Sequence, residues 1–515
     1  MVRKISNEVL DMHIGYDMKK GVEYGKICCS HWIDGKDKKT YVNLGRVIDK
    51  EKLIFKNRQR GLFQFIPENN EYISLDESEY SLPAASSRHS LILNFGDSWF
   101  LDQYIRQTGL FECIEKIHCS HVDTVLALVQ YYILNNLGLC HACDWYEHSY
   151  ASLLYPQANM SSQRISEQLA QIGSEESYRS FFASYIDLLK KECVDIQNIL
   201  IDSTGLPNSI HFPLTGLSNH NGKISNEVRL IYVTQEQSGI PVYLRYVQGT
   251  VPDVSTVSAT ILELAENGIP VDEALLDAGY YSEKNIQTLY KANIRFVCRM
   301  KQNLSLYKAL AAEYKAQLES QENMVKFGKR VVFIKKKPVQ LAPNCPGFAY
   351  ICLDLARKSI ETEKLLDRLD PKENVSSELF ESLESEGIFV LASSVNLPVE
   401  QILPVYYTRQ QVEQTFDICK NYTDLLPLRI ESEETFRGHL LLTFIGACIV
   451  RRIQNTLLQS EKKSSGRLNP TSLFQNLGYQ HCSVYKDKIV IHEADSKANR
   501  GYKIFKINYP AEIEI

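Results

Sequence analysis

The sequence lacks the segments that would direct a protein into or across a membrane. It has no run of about 18 uncharged apolar residues, the length that a membrane-spanning helix needs. Its first eight residues also lack the apolar core of a signal peptide. We therefore expect a cytoplasmic protein that has no membrane partner.

The cysteines lack an ordered pattern. Thirteen is an odd number, and the 515-residue chain is long enough to bury large cores without disulfide bonds. This indicates free thiols in a reducing compartment. Cys140 and Cys143 have the spacing of half a zinc site, but the cysteines and histidines upstream of them do not complete a zinc finger.

An overall excess of positive charge is also missing, because the net charge is −5. The charge is nevertheless uneven: residues 1–60 hold 14 Lys and Arg against 8 Asp and Glu, a net charge of +6. A local basic surface can bind a phosphate backbone even on an acidic chain. This segment is therefore either a solvated sheet edge or a module that contacts DNA.

Hydrophobic periodicity divides the chain into segments of different structure. Strands are predicted at Lys26–Trp32 and Thr40–Ile48, with a turn at Asp34 and Gly35 between them. The predicted segments are a small basic β-rich region at 1–85, a helical region and candidate DNA-binding domain at 86–195, two parts of an α/β core at 196–301 and 386–460, an inserted β-rich subdomain at 302–385, and a C-terminal tail at 461–515.

Two apolar runs in the α/β core end in an aspartate. One run precedes Asp202 and the other precedes Asp277, so both acids are predicted at the C-terminal ends of strands. The wider pattern is three strands, a helix, a strand, a helix and a strand, which predicts a mixed sheet. Ligand sites of α/β folds lie at such strand ends.

A third acid lies in the stretch from Tyr406 to Lys420. As one continuous helix, this stretch would place Tyr406, Arg409, Glu413 and Lys420 on one face, at relative positions 0, 3, 7 and 14. A carboxylate beside two cations and a phenol is more typical of a site for phosphate and metal than of a solvated ion pair.

Asp202, Asp277 and Glu413 together provide the ligands that phosphoryl transfer requires. This chemistry uses two Mg²⁺ ions about 4 Å apart, and Mg²⁺ prefers oxygen ligands. Each acid also has an ordinary interpretation, as a strand-end acid, a turn residue or the partner of Arg409 in an ion pair. Their order along the chain favours the site.

These motifs resemble bacterial insertion-sequence transposases of the DDE type. The resemblance is to the insertion sequence four-like group, which is marked by a Tyr-x2-Arg-x3-Glu-x6-Lys signature. Tyr406, Arg409, Glu413 and Lys420 keep every spacing of that signature. Further matches are the acid of Asp202, the Asp-x-Gly-aromatic motif at Asp277, Gly279 and Tyr280, the Gly-x3-Asp element at Gly249 and Asp253, and the pair Gly438 and His439.

The resemblance implies an RNase H-like catalytic core, a mixed sheet with helices, interrupted by a β-rich insertion. An all-α domain and the small β-rich N-terminal region would precede this core. Asp202, Asp277 and Glu413 would bind two Mg²⁺ or Mn²⁺ ions, while Tyr406, Arg409 and Lys420 would contact the phosphate of a cleaved DNA end. The partners would be double-stranded DNA, namely terminal inverted repeats and target DNA, bound by a dimer or larger assembly in the bacterial cytosol and associated with the nucleoid.

The implied reaction is hydrolysis at the transposon end, followed by attack of the freed 3′-OH on target DNA. The alternatives are a nuclease on the same core that joins no ends, and a transposase remnant that only binds DNA. Some members of the group hold a flipped base on a tryptophan of the insertion. The three tryptophans of this sequence lie elsewhere, and the candidate substitutes are Phe327, Phe333, Phe348 and Tyr350.

Overall fold

A computed structural model describes most of the chain as two compact units, Met1–Ser90 and Leu91–Ile515. The described residues are 9–19, 22–33, 36–75, 91–135, 137–192, 194–208, 212–220, 223–366, 386–421, 430, 432–461 and 468–515. The predicted turn at Asp34 and Gly35 lies outside them.

The first unit is an antiparallel sheet of six strands in sequential order. The strands are β1 Val9–Lys19, β2 Val22–Ile33, β3 Lys36–Asp49, β4 Ile54–Asn57, β5 Gly61–Ile66 and β6 Glu71–Ser74. The predicted strands Lys26–Trp32 and Thr40–Ile48 lie within β2 and β3. One face of the sheet buries a small core that includes Ile27, Leu44 and Phe55.

The second unit begins with a short strand and a helical region. These elements are β7 Leu91–Asn94, α1 Gly96–Gln107, α2 Leu110–Ile114, α3 Val122–Leu134, α4 Ala142–His148, α5 Ala151–Leu154, α6 Ser162–Ile172 and α7 Glu175–Lys191. Helix α7 begins directly after Ser174, whose hydroxyl accepts the backbone N–H of Ser177 and caps the helix.

A mixed sheet of ten strands forms the centre of the second unit. Its strands are β8 Asn198–Pro207, β9 Gly216–His220, β10 Lys223–Gln235, β11 Pro241–Gln248, β12 Glu273–Leu276, β13 Arg295–Arg299, β14 Met324–Phe327, β15 Arg330–Ala342, β16 Cys345–Asp354 and β17 Ile388–Ser393. Their order is β11-β10-β8-β12-β13-β17-β16-β15-β14, and β9 pairs with β10 at one side. The pairs β8–β12 and β12–β13 are parallel, and the others are antiparallel.

The remaining helices pack around this sheet, and a second, small sheet closes the unit. The helices are α8 Val257–Glu266, α9 Glu283–Lys291, α10 Ser305–Tyr314, α11 Leu355–Leu366, α12 Val399–Tyr407, α13 Gln410–Asn421, α14 Glu433–Glu461, α15 Pro470–Gly478 and α16 Ser496–Phe505. The small sheet has the order β20-β19-β18-β7, where β18 is His481–Val484, β19 is Lys488–Ile491 and β20 is Glu512–Glu514.

Helix α14 is the central helix of this unit. By length and composition its segment Glu433–Ser460 would be able to cross a membrane, but 83% of its most apolar window is buried inside the protein. Such burial is the environment of a core helix, where packing against neighbouring helices stabilises an apolar surface on all sides.

The structure corrects two predictions about the core. Asp202 does not end its strand, because β8 continues to Pro207 by pairing with β10. The strands of the predicted insertion at 302–385 do not form a sheet of their own. They continue the central sheet, because β16 pairs with β17, which in turn pairs with β13.

Candidate active site

The stretch that carries the signature forms two helices instead of the single helix predicted. Helix α12 ends at Tyr407 and α13 begins at Gln410. The backbone N–H groups of Thr408 and Arg409 each donate across three residues at 3.2 Å, a tighter turn than an α-helix. Pro404 also weakens the end of α12, since it has no N–H to donate. Arg409 therefore lies in the turn between α12 and α13.

The guanidinium of Arg409 lies among three carboxylates. Its Nη1 is 3.5 Å from Asp202 Oδ2 and 3.4 Å from Asp277 Oδ1, while its Nη2 is 3.0 Å from Glu413 Oε1. Burial acts to lower the pKa of Arg409, but the charges of Asp202 and Asp277 outweigh it and raise that pKa. The structure thus brings the three predicted acids together around one cation.

Asp202 and Asp277 are adjacent because of how their strands pair. The parallel pairing of β8 with β12 ends at Ile201 and Leu276, so each aspartate follows the last pair. Asp202 is mostly buried, and its Oδ1 accepts the backbone N–H of Ser203 at 2.8 Å. Burial raises the pKa of Asp202 from 3.8 to about 6, although the Arg409 charge acts in the opposite direction.

The other two signature residues, Tyr406 and Lys420, contact different neighbours of this group. The hydroxyl of Tyr406 donates to Asp277 Oδ1 at 3.3 Å, and burial raises the pKa of Tyr406, so the phenol keeps its proton. Lys420 lies on α13, and its Nζ donates to Thr204 Oγ1 at 2.6 Å. Burial lowers the pKa of Lys420. Lys420 therefore faces β8, two residues beyond Asp202.

A cavity of about 330 Å³ opens beside Asp277 and Glu413, and sequence reasoning missed several of the residues that line it. The guanidinium groups of Arg299 and Arg357 lie 5.6 and 5.7 Å from the ring centre of Phe389. The missed signal is Arg299, a cation at the end of an apolar strand next to that of Asp277. The lining residues are Asp277, Arg299, Arg357, Phe389, Tyr406, Tyr407, Arg409, Gln410 and Glu413.

The four aromatic side chains predicted as substitutes for tryptophan do not line this cavity. Tyr350 is fully buried, and Phe327 stacks on Tyr407 with ring centres 5.0 Å apart. Lys336 lies over Phe348 at 5.2 Å from the ring centre. The aromatic rings that line the cavity are those of Phe389, Tyr406 and Tyr407.

Asp253 precedes helix α8 in the chain but does not cap it. Asp253 begins a short 3₁₀ turn, whereas α8 begins only at Val257 and has no side-chain cap. The Asp253 carboxylate instead turns towards the sheet. Its Oδ1 accepts hydrogen bonds from Ser203 Oγ and from Arg229 Nη1, both at 2.6 Å.

Two further candidates from the sequence are His439 and the cysteines. His439 is buried, and its Nδ1 lies 2.7 Å from the hydroxyl of Tyr132, as expected of a core histidine. Each cysteine in the described ranges is a free thiol. Within those ranges, no group of three or more His, Cys, Asp or Glu side chains lies close enough together to hold a metal ion. This statement covers the three acids around Arg409.

The fold and site can now be compared with known proteins. Residues 195–449 match the family model described as Transposase DDE domain. This segment is thus a transposase DDE domain, and it contains all three acids around Arg409. Among solved structures, a cryo-EM structure of the piggyBac transposase synaptic complex with hairpin DNA shares 12% identity over 70% of each chain, with a TM-score of 0.37. No curated protein sequence matches the chain.

Proposed function

We propose that the chain is a DDE transposase that cleaves DNA at the ends of an insertion sequence and joins those ends to target DNA. The observation that carries the proposal is the convergence of Asp202, Asp277 and Glu413 on one guanidinium within 3.5 Å. Three carboxylates from separate elements meet there in the DDE domain, beside a cavity lined by arginines.

The donor set fits a divalent cation of the Mg²⁺ or Mn²⁺ type. All three side chains are hard oxygen ligands, and the group already holds one positive charge, that of Arg409. We assign Asp202, Asp277 and Glu413 as the ligands of two ions. When bound, the ions supply activation of the attacking oxygen and stabilisation of the leaving oxygen.

The cationic side chains around the acids suit the phosphates of a DNA end. Arg409 presents a planar fork that can bind phosphate through two hydrogen bonds, and Lys420, near the C-terminal end of α13, supplies a point charge. Tyr406 keeps its proton and can donate to a phosphate oxygen. We assign Arg299 and Arg357, backed by Phe389, to the phosphates of the strand that continues past the cut.

The sheet supports an RNase H-like core for this chemistry. In chain order its first five core strands are β8, β10, β11, β12 and β13, arranged 3-2-1-4-5, with two antiparallel and two parallel pairings.

A water oxygen would attack the phosphorus at the transposon end, and the 3′ oxygen would leave as a hydroxyl. That hydroxyl would then attack target DNA and displace a target 3′ oxygen. Pairing two ends requires at least a dimer on DNA.

A plasmid excision and joining assay tests the proposal. The donor plasmid carries a marker between the inverted repeats that flank the gene. Wild-type protein should excise the marker and join it to a target plasmid only when Mg²⁺ or Mn²⁺ is supplied. Asp202→Ala and Glu413→Gln should each abolish both steps, because each removes one proposed ligand. Glu192→Gln, which alters a carboxylate paired with Arg452, is the matched control and should stay active.

The outcomes separate the alternatives. Full cleavage by both the Asp202 and Glu413 variants would contradict the assignment of the acids. Cleavage without any joined product would identify a nuclease on the same core. Binding of the repeats without cleavage by the wild-type chain would identify a DNA-binding remnant.

A further inference from the structure

A second polar cluster, formed by Asp253, Ser203 and Arg229, lies next to Asp202 on β8. The carboxylate of Asp253, in the turn before α8, accepts a hydrogen bond from Ser203 on β8 and another from Arg229 on β10, both at 2.6 Å. The Arg229 side chain is only 7% exposed and that of Asp253 is 24% exposed. Removing one partner of a buried ion pair leaves the other charge unpaired, so the position of each side chain depends on the other.

Asp253 lies against both backbone segments that carry the aspartates of the site. Ser203 directly follows Asp202 in β8. On the other side, a Cβ added to Gly279 would lie 3.2 Å from Asp253 Oδ2, which places the turn after Asp277 in close contact. One carboxylate thus contacts both of the segments that carry the aspartates.

Arg229 fixes Asp253 because Arg229 is itself held from other directions. Its Nη2 lies 3.3 Å from Glu227 Oε1 and donates to Ser218 Oγ at 3.2 Å. Glu227 is also buried, and its charge acts on Lys420, where it opposes the lowering of the lysine pKa. The cluster therefore runs from the region of Lys420 to the segments that carry Asp202 and Asp277.

We propose that Asp253, held by Arg229, is a positioning residue that sets the spacing of Asp202 and Asp277 for binding divalent cations. This inference rests on the proposed function. Asp253 acts through Ser203 and through the turn at Gly279, and it is not itself a ligand of the ions. Groups that orient metal ligands in this way typically contribute about 10-fold to 100-fold in metal affinity.

The test is calorimetric titration of the full-length, chelator-treated protein with Mn²⁺ alone. Asp253→Asn keeps the shape of the side chain but loses its charge, and it should weaken Mn²⁺ binding by about 10-fold. Ser203→Ala and Arg229→Met should weaken it as well, and Arg229→Lys should recover part of the loss. Glu192→Gln, which disrupts an ion pair of similar exposure at the end of α7, should bind Mn²⁺ as the wild type does.

Thermal unfolding of each variant separates positioning from general stability. Under the proposal, Ser203→Ala changes Mn²⁺ affinity with an unfolding midpoint close to that of the wild type, and this variant remains informative if the Asp253 variant does not fold. Wild-type affinity in Asp253→Asn and Ser203→Ala would overturn the inference. Weak binding by Asp253→Asn alone, with Ser203→Ala and Arg229→Met unaffected, would make Asp253 a ligand and overturn it too. A wild-type chain that binds no Mn²⁺ would instead contradict the proposed function.

Discussion

At the scale of single residues, Arg409 places a positive charge among the three acids. Its guanidinium lies within 3.5 Å of all three carboxylates, so it relieves their mutual repulsion in the absence of metal. Under the proposed function, divalent ions would compete with this charge, and a DNA phosphate that attracts Arg409 would remove the competitor. Metal binding and DNA-end binding should therefore favour each other.

Replacing Arg409 tests this competition. Arg409→Gln should bind Mn²⁺ about 3-fold to 10-fold more tightly than the wild type when no DNA is present, because the competing charge is gone. The same variant should bind the terminal-repeat DNA more weakly. Calorimetry measures the first effect and a gel-shift titration the second. Arg357→Gln is the control for the calorimetry alone and should leave Mn²⁺ affinity unchanged, since it removes an arginine of the same cavity that pairs with Glu361. Weaker Mn²⁺ binding by Arg409→Gln would show that the arginine orders the acids and does not compete.

Asp202 gives a second prediction at this scale, on stability against pH. Its folded pKa of about 6 is above the usual 3.8, so the folded state holds the proton more tightly. The wild type should thus lose stability as pH rises through that window, and the cost should remain above it. Asp202→Asn has no such cost, and we expect it to be more stable by on the order of 1–3 kcal/mol above pH 6.

Urea unfolding with chelator present, from about pH 4 to about pH 8, measures this difference. The stabilisation should shrink towards zero at the acid end. Glu413→Gln is the control, because Glu413 is 57% exposed and water screens its charge. A pH-independent difference between Asp202→Asn and wild type would contradict the explanation.

At the scale of elements, the sequence predicts most strands and helices but not their partners. The apolar runs before Asp202 and Asp277 predict β8 and β12 correctly, since buried strands read as continuous apolar segments. The length of β8 beyond Asp202 depends on pairing with β10, a contact that local periodicity does not encode. For the same reason, a strand pattern at 324–354 does not reveal that β14, β15 and β16 continue the core sheet.

The closeness of the three acids followed from the sequence, whereas their surroundings did not. Spacing identified the signature residues, although the break between α12 and α13 follows from local hydrogen bonding that a period of 3.6 residues cannot show. Arg229 was a detectable sign of a buried ion pair in the sequence. A charged residue inside the apolar strand β10 must be paired when it is buried, and its partner is Asp253.

The crossing of α6 and α14 gives a prediction at the scale of elements. A Cβ added to Gly438 would lie 2.0 Å from the carbonyl oxygen of Leu169, so the two helix backbones approach closely there. Gly438→Ala must push the helices apart and should cost about 1–3 kcal/mol of unfolding free energy. Gly138→Ala is the control, because its added Cβ would approach only Cys140 Sγ, at 3.9 Å. Equal stability of the two variants in urea would contradict the close crossing.

At the scale of the whole molecule, the second unit is closed by its own two ends. Strand β7 at its beginning pairs with β18 near its end, in the small sheet. The ring of Phe505 packs edge-on against Phe100 and Tyr104, with ring centres 5.1 and 5.5 Å apart. The segment predicted as a C-terminal tail is therefore part of the core that supports the helical region.

This closure predicts opposite effects for truncation at the two ends. Removal of Met1–Ser90 takes away one compact unit and should leave a chain that unfolds cooperatively and binds Mn²⁺ with unchanged affinity. Removal of residues 481–515 strips β7 of its partner and exposes Phe100, so the remaining unit should not fold.

Phe505→Ala isolates the packing effect, and we expect it to cost about 3–5 kcal/mol of unfolding free energy. Urea unfolding and limited proteolysis measure all three proteins. A stable, Mn²⁺-binding chain that ends at residue 480 would show that the site does not depend on this closure.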